Sequence, residues 1–239
     1  MEKIKFNPVD KLSELSVQPP KPARHYAPEW YKNIPAFRDG KISNGATQKT
    51  IKLCAPFADS LNLGYIQETW QEINIFLTDV DENNKQLDYK YPINPKIMDL
   101  RQNWPDIENS FSIPDQYYPF EFVWHPAWIS ELPEGYSALI THPLNRPDLP
   151  FHTLTGVVDN DSFSTSQSQS NLPFLLNKNF TGIIPIGTPM YQIIPFKRDD
   201  WKSSTEKYDE DRQIKDNQKI RRHLFHGYKK EHWHKKNFF

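Results

Sequence analysis

A chain of 239 residues is long enough for one sizeable core, or for a core domain with extended arms. Its 29 basic and 30 acidic side chains nearly cancel, which excludes the clear basic excess of a general nucleic-acid binder but leaves room for a local basic patch. The single cysteine, Cys54, excludes an internal disulfide, and no run approaches the roughly 18 apolar residues of a membrane span.

The first residues, MEKIKFNPVDKLSEL, lack an apolar stretch of signal-peptide length, so the cytoplasm is the expected location. There are 21 prolines against 8 glycines, and 14% of residues are aromatic. Proline interrupts helices and is tolerated at strand ends, and aromatics favour pleated, half-buried surfaces. The composition therefore predicts a mainly β protein of short strands joined by stiff connections, not a helical bundle.

Residues 1–48 read as an extended arm rich in proline and aromatics. Gln18-Pro-Pro-Lys-Pro22 favours polyproline II, and Tyr26, Trp30 and Tyr31 follow as anchors on a surface or a neighbouring subunit. Residues 49–199 read as the β core. Strands are expected at 51–54, 63–66, 72–77, 120–124, 137–140, 156–158, 182–184 and 190–196, with a hairpin turn at 79–85 and almost no helix. Residues 86–119 carry no clear signal. Residues 162–170, rich in Ser and Gln, read as a loop. Residues 200–239 change character: a charged helix is expected over 206–224, with a thin apolar stripe of Tyr208, Ile214, Ile220 and Leu224, then a basic, aromatic tail.

The densest set of motifs lies between Leu132 and Arg198. Leu132-Pro-Glu-Gly-Tyr136 is a tight turn feeding a strand. Gly156-Val-Val-Asp159-Asn-Asp161 is a strand running into two carboxylates. Pro185-Ile-Gly187-Thr-Pro189 turns into an apolar strand bearing one polar residue, Gln192. A strand that delivers carboxylates at its end, beside a loop, suits activation of water. The same aspartates also suit the cap of a turn after a strand, and Gln192 also suits pairing with a neighbouring backbone.

In order, spacing and strand character, these 65 or so residues resemble the second half of the trimeric dUTPase and dCTP-deaminase superfamily. There a turn of the form lPpGyyg, a gvIDsDYrG hairpin and a closing G.riaQli strand follow one another. Leu63-Gly-Tyr-Ile66 is similar to that family's early aGyDL motif. The chain also resembles uncharacterised phage proteins sharing the GYS, GVVD and GTPxxQxIPFKR segments, which extends the expected location to host cytoplasm or virion.

The resemblance implies a β-clip, a small distorted β-barrel that assembles as a homotrimer. It implies Asp159 as the general base that activates water, with Asp161, Phe163 near the deoxyribose, and Gln192 beside the phosphates. It implies magnesium as cofactor if hydrolysis is retained, with no resident metal otherwise. Arg146 and His142 are the available phosphate holders, although a loop without a ligand explains them equally. The chain departs from the family in three places. Thr141-His-Pro-Leu-Asn-Arg146 stands where an RSG phosphate-binding segment belongs, Ile66 stands where an acidic residue belongs, and the last 50 residues hold one glycine, Gly227, instead of a glycine-rich arm.

His223, His226, His232 and His234 have spacings that can gather imidazoles, but no carboxylate or cysteine signal accompanies them, so they read as part of a basic tail. His125, His142 and His152 lack a clustered metal spacing. Two functions follow: a non-catalytic binding, structural or regulatory oligomer with a degenerate nucleotide site, or a deoxynucleoside triphosphate pyrophosphatase using Asp159. A nucleotide or a protein partner is expected, without membrane or general nucleic-acid binding.

Overall fold

A computed structural model of the chain describes residues 2–43, 46–79, 85–92, 94–100, 112–162, 171–223 and 227–236. The N-terminal segment holds β1 (Lys5–Pro8), α1 (Lys11–Ser16), β2 (Lys21–Pro22), α2 (Glu29–Asn33), β3 (Phe37–Ser43) and β4 (Ala46–Lys49). Next come α3 (Ala55–Asn62), β5 (Tyr65–Glu68), β6 (Ile73–Asp79), β7 (Lys85–Lys90), β8 (Met98–Leu100), β9 (Phe122–Trp124) and β10 (Trp128–Glu131). The motif-bearing half contributes β11 (Tyr136–Thr141), β12 (Phe151–Thr153), β13 (Gly156–Val158), β14 (Leu172–Leu176), β15 (Gly182–Ile184) and β16 (Pro189–Lys197). Two helices, α4 (Glu210–Arg221) and α5 (Gly227–Glu231), follow.

The molecule is mainly β, 34% strand against 22% helix, and its strands form several antiparallel sheets. A five-stranded sheet runs β13-β11-β16-β5-β2, a four-stranded one β12-β14-β9-β8 and a three-stranded one β15-β6-β7. Among the described residues these sheets do not close on themselves, so the expected barrel is corrected to a set of open sheets around one core. Ile140 and Ile193 come to that core from the first sheet, Trp124 and Phe174 from the second, Ile75 and Ile184 from the third. Trp124 stacks on Phe174 with ring centroids 3.8 Å apart, and Phe151 meets Trp124 edge-on at 5.0 Å. The buried indole N–H of Trp124 donates to Thr153 Oγ1 at 3.1 Å, and that hydroxyl donates to the Met190 carbonyl at 2.7 Å. This relay ties the second sheet to the first without leaving a buried polar atom unpaired.

Expected strands recur at β5, β6, β9, β11, β13, β15 and β16. The hairpin of β6 and β7 runs from Asn74↔Lys90 to Asp79↔Lys85, its turn at 80–84 lying outside the described residues. The strand expected at 51–54 is corrected: Ile51–Leu53 is a 3-10 turn and α3 follows at once. Thr50 Oγ1 accepts from the Lys52 amide at 3.3 Å, and Pro56 sits in the first turn of α3, where its missing N–H costs nothing. "Almost no helix" therefore fails at α3.

The N-terminal segment lies on the core of its own chain. β1 pairs with β10, β2 pairs with β5, and the Trp128 indole donates to the Val17 carbonyl at 2.9 Å. Tyr26 Oη donates to Glu68 at 2.8 Å, and Trp30 and Tyr31 pack on Phe57 of α3 with centroids 6.1 and 5.6 Å apart. At the other end α4 is capped by Asp209, whose carboxylate accepts from the Arg212 amide at 3.0 Å, and it has no buried residue. The tail returns to the body at Asp59, which accepts from the Trp233 indole at 2.8 Å and from Lys236 at 2.6 Å.

Candidate functional site

The three motif segments meet in the five-stranded sheet. β11 pairs with β13 through Ala138↔Val158 and with β16 through Thr141↔Gln192. Gly135 (φ 83°) and Gly187 (φ 83°) sit in the left-handed region that their turns require, which glycine reaches without strain. Around this sheet the candidate residues divide into two groups at opposite ends of β11.

The first group gathers at the start of β11. Ser137 Oγ donates to Asp159 Oδ1 at 2.6 Å, and Arg198 Nη1, just past β16, reaches the same oxygen at 3.4 Å. Asp161 is nearly covered, with 8% of its side chain exposed. It accepts from the Gly135 amide at 3.0 Å and from Arg198 Nη1 at 3.1 Å, and a second ion pair joins it to Arg198 Nη2. Arg198 also donates to the Tyr136 carbonyl and the Ser137 hydroxyl, both at 3.0 Å. Arg198, helped by the Gly135 amide, holds the Asp161 carboxyl down at about 2. The guanidinium thus clasps the Leu132–Tyr136 turn to the Asp159–Asp161 turn.

The second group lies at the end of β11, about 13 Å further along the strand from Ser137 to Thr141. Gln192 is 1% exposed and its amide is fully used. Oε1 accepts from the Leu144 amide at 2.8 Å, while Nε2 donates to the Ser60 carbonyl at 3.3 Å and to the Leu63 carbonyl. His142 accepts from the Thr153 amide through Nδ1 at 3.3 Å, so Nε2 carries the proton that goes to the Arg146 carbonyl at 3.1 Å. Burial pushes the imidazole down to about 4, so it is neutral near pH 7. Arg146 forms a fork with Asp148 at 2.9 and 2.7 Å and donates to the Tyr26 carbonyl at 3.3 Å. Asp148 in turn accepts from the Trp30 indole at 3.3 Å. Arg146 is therefore the clamp that holds the N-terminal segment.

The structure brings Asp159 and Asp161 together, and Gln192, His142 and Arg146 together, but it separates the first pair from the second trio. Phe163 lies outside the described residues. The sequence reading missed Arg198, Ser137, Asn160 and Asp148. Two neighbouring carboxylates with no assigned cation were the available signal for Arg198. Asn160, between Asp159 and Asp161, turns inward, 2% exposed, and donates to the Ser130 carbonyl at 2.8 Å and hydroxyl at 2.9 Å.

The residues do not suit the magnesium that a pyrophosphatase would use. Both carboxylates share one guanidinium, which repels a cation. Among the described residues no group of three or more His, Cys, Asp or Glu side chains is placed to hold a metal ion. His223 pairs instead with Glu231, which also meets Arg222 at 3.0 Å. No helix among the described residues is long and apolar enough to cross a membrane. No protein-family model matches the chain, and no curated protein matches it.

Proposed function

We propose that this protein is a non-catalytic member of the dUTPase-like β-clip group, working as an oligomeric binding or structural protein. One observation carries the reading: Gln192, His142, Arg146 and Asp161 already spend their polar groups on bonds inside the chain, and Asp159 is bonded through one oxygen. Gln192 closes the sheet onto α3, Arg146 clamps the N-terminal segment, and Arg198 locks the two turns. A triphosphate needs several free donors or a metal ion, and these donors have other acceptors. The proposed β-clip kinship draws on the adjacency of the three motif segments in one sheet, with turn glycines at positive φ.

The second reading, hydrolysis with Asp159 as general base, draws on one fact: 63% of the Asp159 side chain is exposed. Against it stand Ser137 and Arg198 on the same carboxylate and the distance to Arg146 and His142. A thermal-shift screen against the four common deoxynucleoside triphosphates and dUTP, each with magnesium, separates the two. A ligand at 100 times its Kd raises stability by about 2.7 kcal/mol. The proposal expects no shift; a shift with one nucleotide would show that the site still takes a nucleotide, and pyrophosphate release from that nucleotide would select the enzyme.

A further inference from the structure

Charge is balanced over the whole chain but not along it. Residues 221–236 hold six of the 29 basic side chains and one of the 30 acidic ones, which leaves 23 basic against 29 acidic elsewhere. An acidic protein with one basic end concentrates its attraction for a polyanion at that end. Contacts between side chains gather the end into one patch. Arg222 meets Glu231 of α5 at 3.0 Å and His223 pairs with the same carboxylate, which closes α4 onto α5. Lys229 and Lys236 both lie over the Trp233 ring, 5.4 and 5.1 Å from its centroid. Trp233 and Lys236 in turn fix the patch to Asp59 on the body.

The two carboxylates in contact with the patch, Glu231 and Asp59, are thereby spent on Arg222, His223, Trp233 and Lys236. Among the described residues Arg221, Lys229, Lys230 and Lys235 have no carboxylate partner, and all four are exposed. Two rings are exposed beside them: Tyr228, 46% accessible, and His232 one turn on, with centroids 6.2 Å apart. Cations alone would serve any polyanion. Exposed rings among cations favour single-stranded nucleic acid, whose unpaired bases stack on aromatic side chains while its phosphates meet the charges. Trp233, the ring best suited to a membrane interface, is instead held to Asp59 by its indole N–H. We propose that residues 221–236 form a binding surface for single-stranded nucleic acid, with bases stacked on Tyr228 and His232 and phosphates on Arg221, Lys229, Lys230 and Lys235. The surface uses none of the residues of the β11, β13 and β16 motifs, so it stands or falls independently of the β-clip reading.

The test is fluorescence anisotropy of a labelled oligothymidylate of about 15 nucleotides, titrated with the full chain. The wild type should bind with a Kd of about 10⁻⁶–10⁻⁴ M at moderate salt. Phosphate contacts from the four unpaired cations should make log Kd rise with log salt at a slope of about 3. Tyr228→Ala should weaken binding by about 5- to 150-fold without changing that slope. Lys229→Glu combined with Lys230→Glu should lower the slope by about 1.4 or more. A duplex of the same length, polyglutamate and phosphatidylserine vesicles should each compete about tenfold less well than unlabelled oligothymidylate. Absence of binding at about 10⁻⁴ M, equal competition by any of the three, or unchanged affinity in a folded Tyr228→Ala overturns the proposal. The wild-type competition decides even if a variant folds poorly.

Discussion

Asp161 and His142 give the protein two separate pH signatures. The folded pKa of Asp161 is depressed, to about 2. Its contribution to stability is therefore complete above the unfolded value, about 3.9, and is lost as pH falls towards about 2. Asp161→Asn should lower Tm at pH 7, and the gap from wild type should close between about pH 4 and 2. Melting curves across that window check it, and a gap that persists unchanged would contradict the Arg198 clasp. The folded pKa of His142 is depressed from its ordinary 6.5 to about 4, so the unfolded chain takes up a proton first as pH falls. Its contribution is full above 6.5 and is lost between 6.5 and about 4. Gln can make the same two hydrogen bonds without titrating. His142→Gln should therefore flatten the stability profile over that window, as denaturant titrations at pH 7, 5.5 and 4.5 would show.

At the scale of the element, β16 and α3 depend on each other. Gln192→Ala strips partners from the Leu144 amide and from the Ser60 and Leu63 carbonyls, and should cost about 2–4 kcal/mol in urea denaturation. Gly64, between α3 and β5, has φ 69°, and a Cβ there would overlap the Ile193 carbonyl oxygen. Because that neighbour is backbone, Gly64→Ala should cost roughly 2 kcal/mol or more by the same measurement. A loss under half that size would mean the two strands separate more easily than this register implies.

The two elements also mark how far the sequence could be read. β16 and β11 were legible because buried strands leave runs such as Met190-Tyr-Gln-Ile-Ile, and their turns carry obligatory glycine. α3 was not, because Pro56 stops a helix in its interior but starts one in its first turn, and Cys54 at its N-cap makes no side-chain hydrogen bond that would mark the start. β12 and β14 escaped notice since their pairing, Phe151↔Leu176, is non-local and leaves no turn signal between them. Of the site, the residue types of Asp159, Gln192 and Arg146 were legible. Their partners were not: Arg198 reaches Asp159 and Asp161 only through the folded turns, and Asp148, although two residues from Arg146, carries no motif that marks the pair.

For the whole molecule, the N-terminal segment and the tail both close onto the chain's own body, through Arg146 and Asp59. Trp201 is 90% exposed on the connection to α4, and Ile183 in β15 and Ile186 just after it are 57% and 63% exposed. Surfaces of this kind suit an assembly that buries them. The proposed homotrimer should scatter light as three chains of 28.2 kDa at micromolar concentration, and a monomer at that concentration would contradict it. The central claim is that the polar residues of the motif region hold the fold and do no chemistry. The most direct measurement is pyrophosphatase turnover on deoxynucleoside triphosphates with magnesium, for wild type and Asp159→Asn, alongside the Tm of each. The account expects no turnover from either, and a lowered Tm for Asp159→Asn as the Ser137 and Arg198 contacts weaken. Wild-type turnover that falls by about 10² or more in Asp159→Asn, with Tm unchanged, would contradict it.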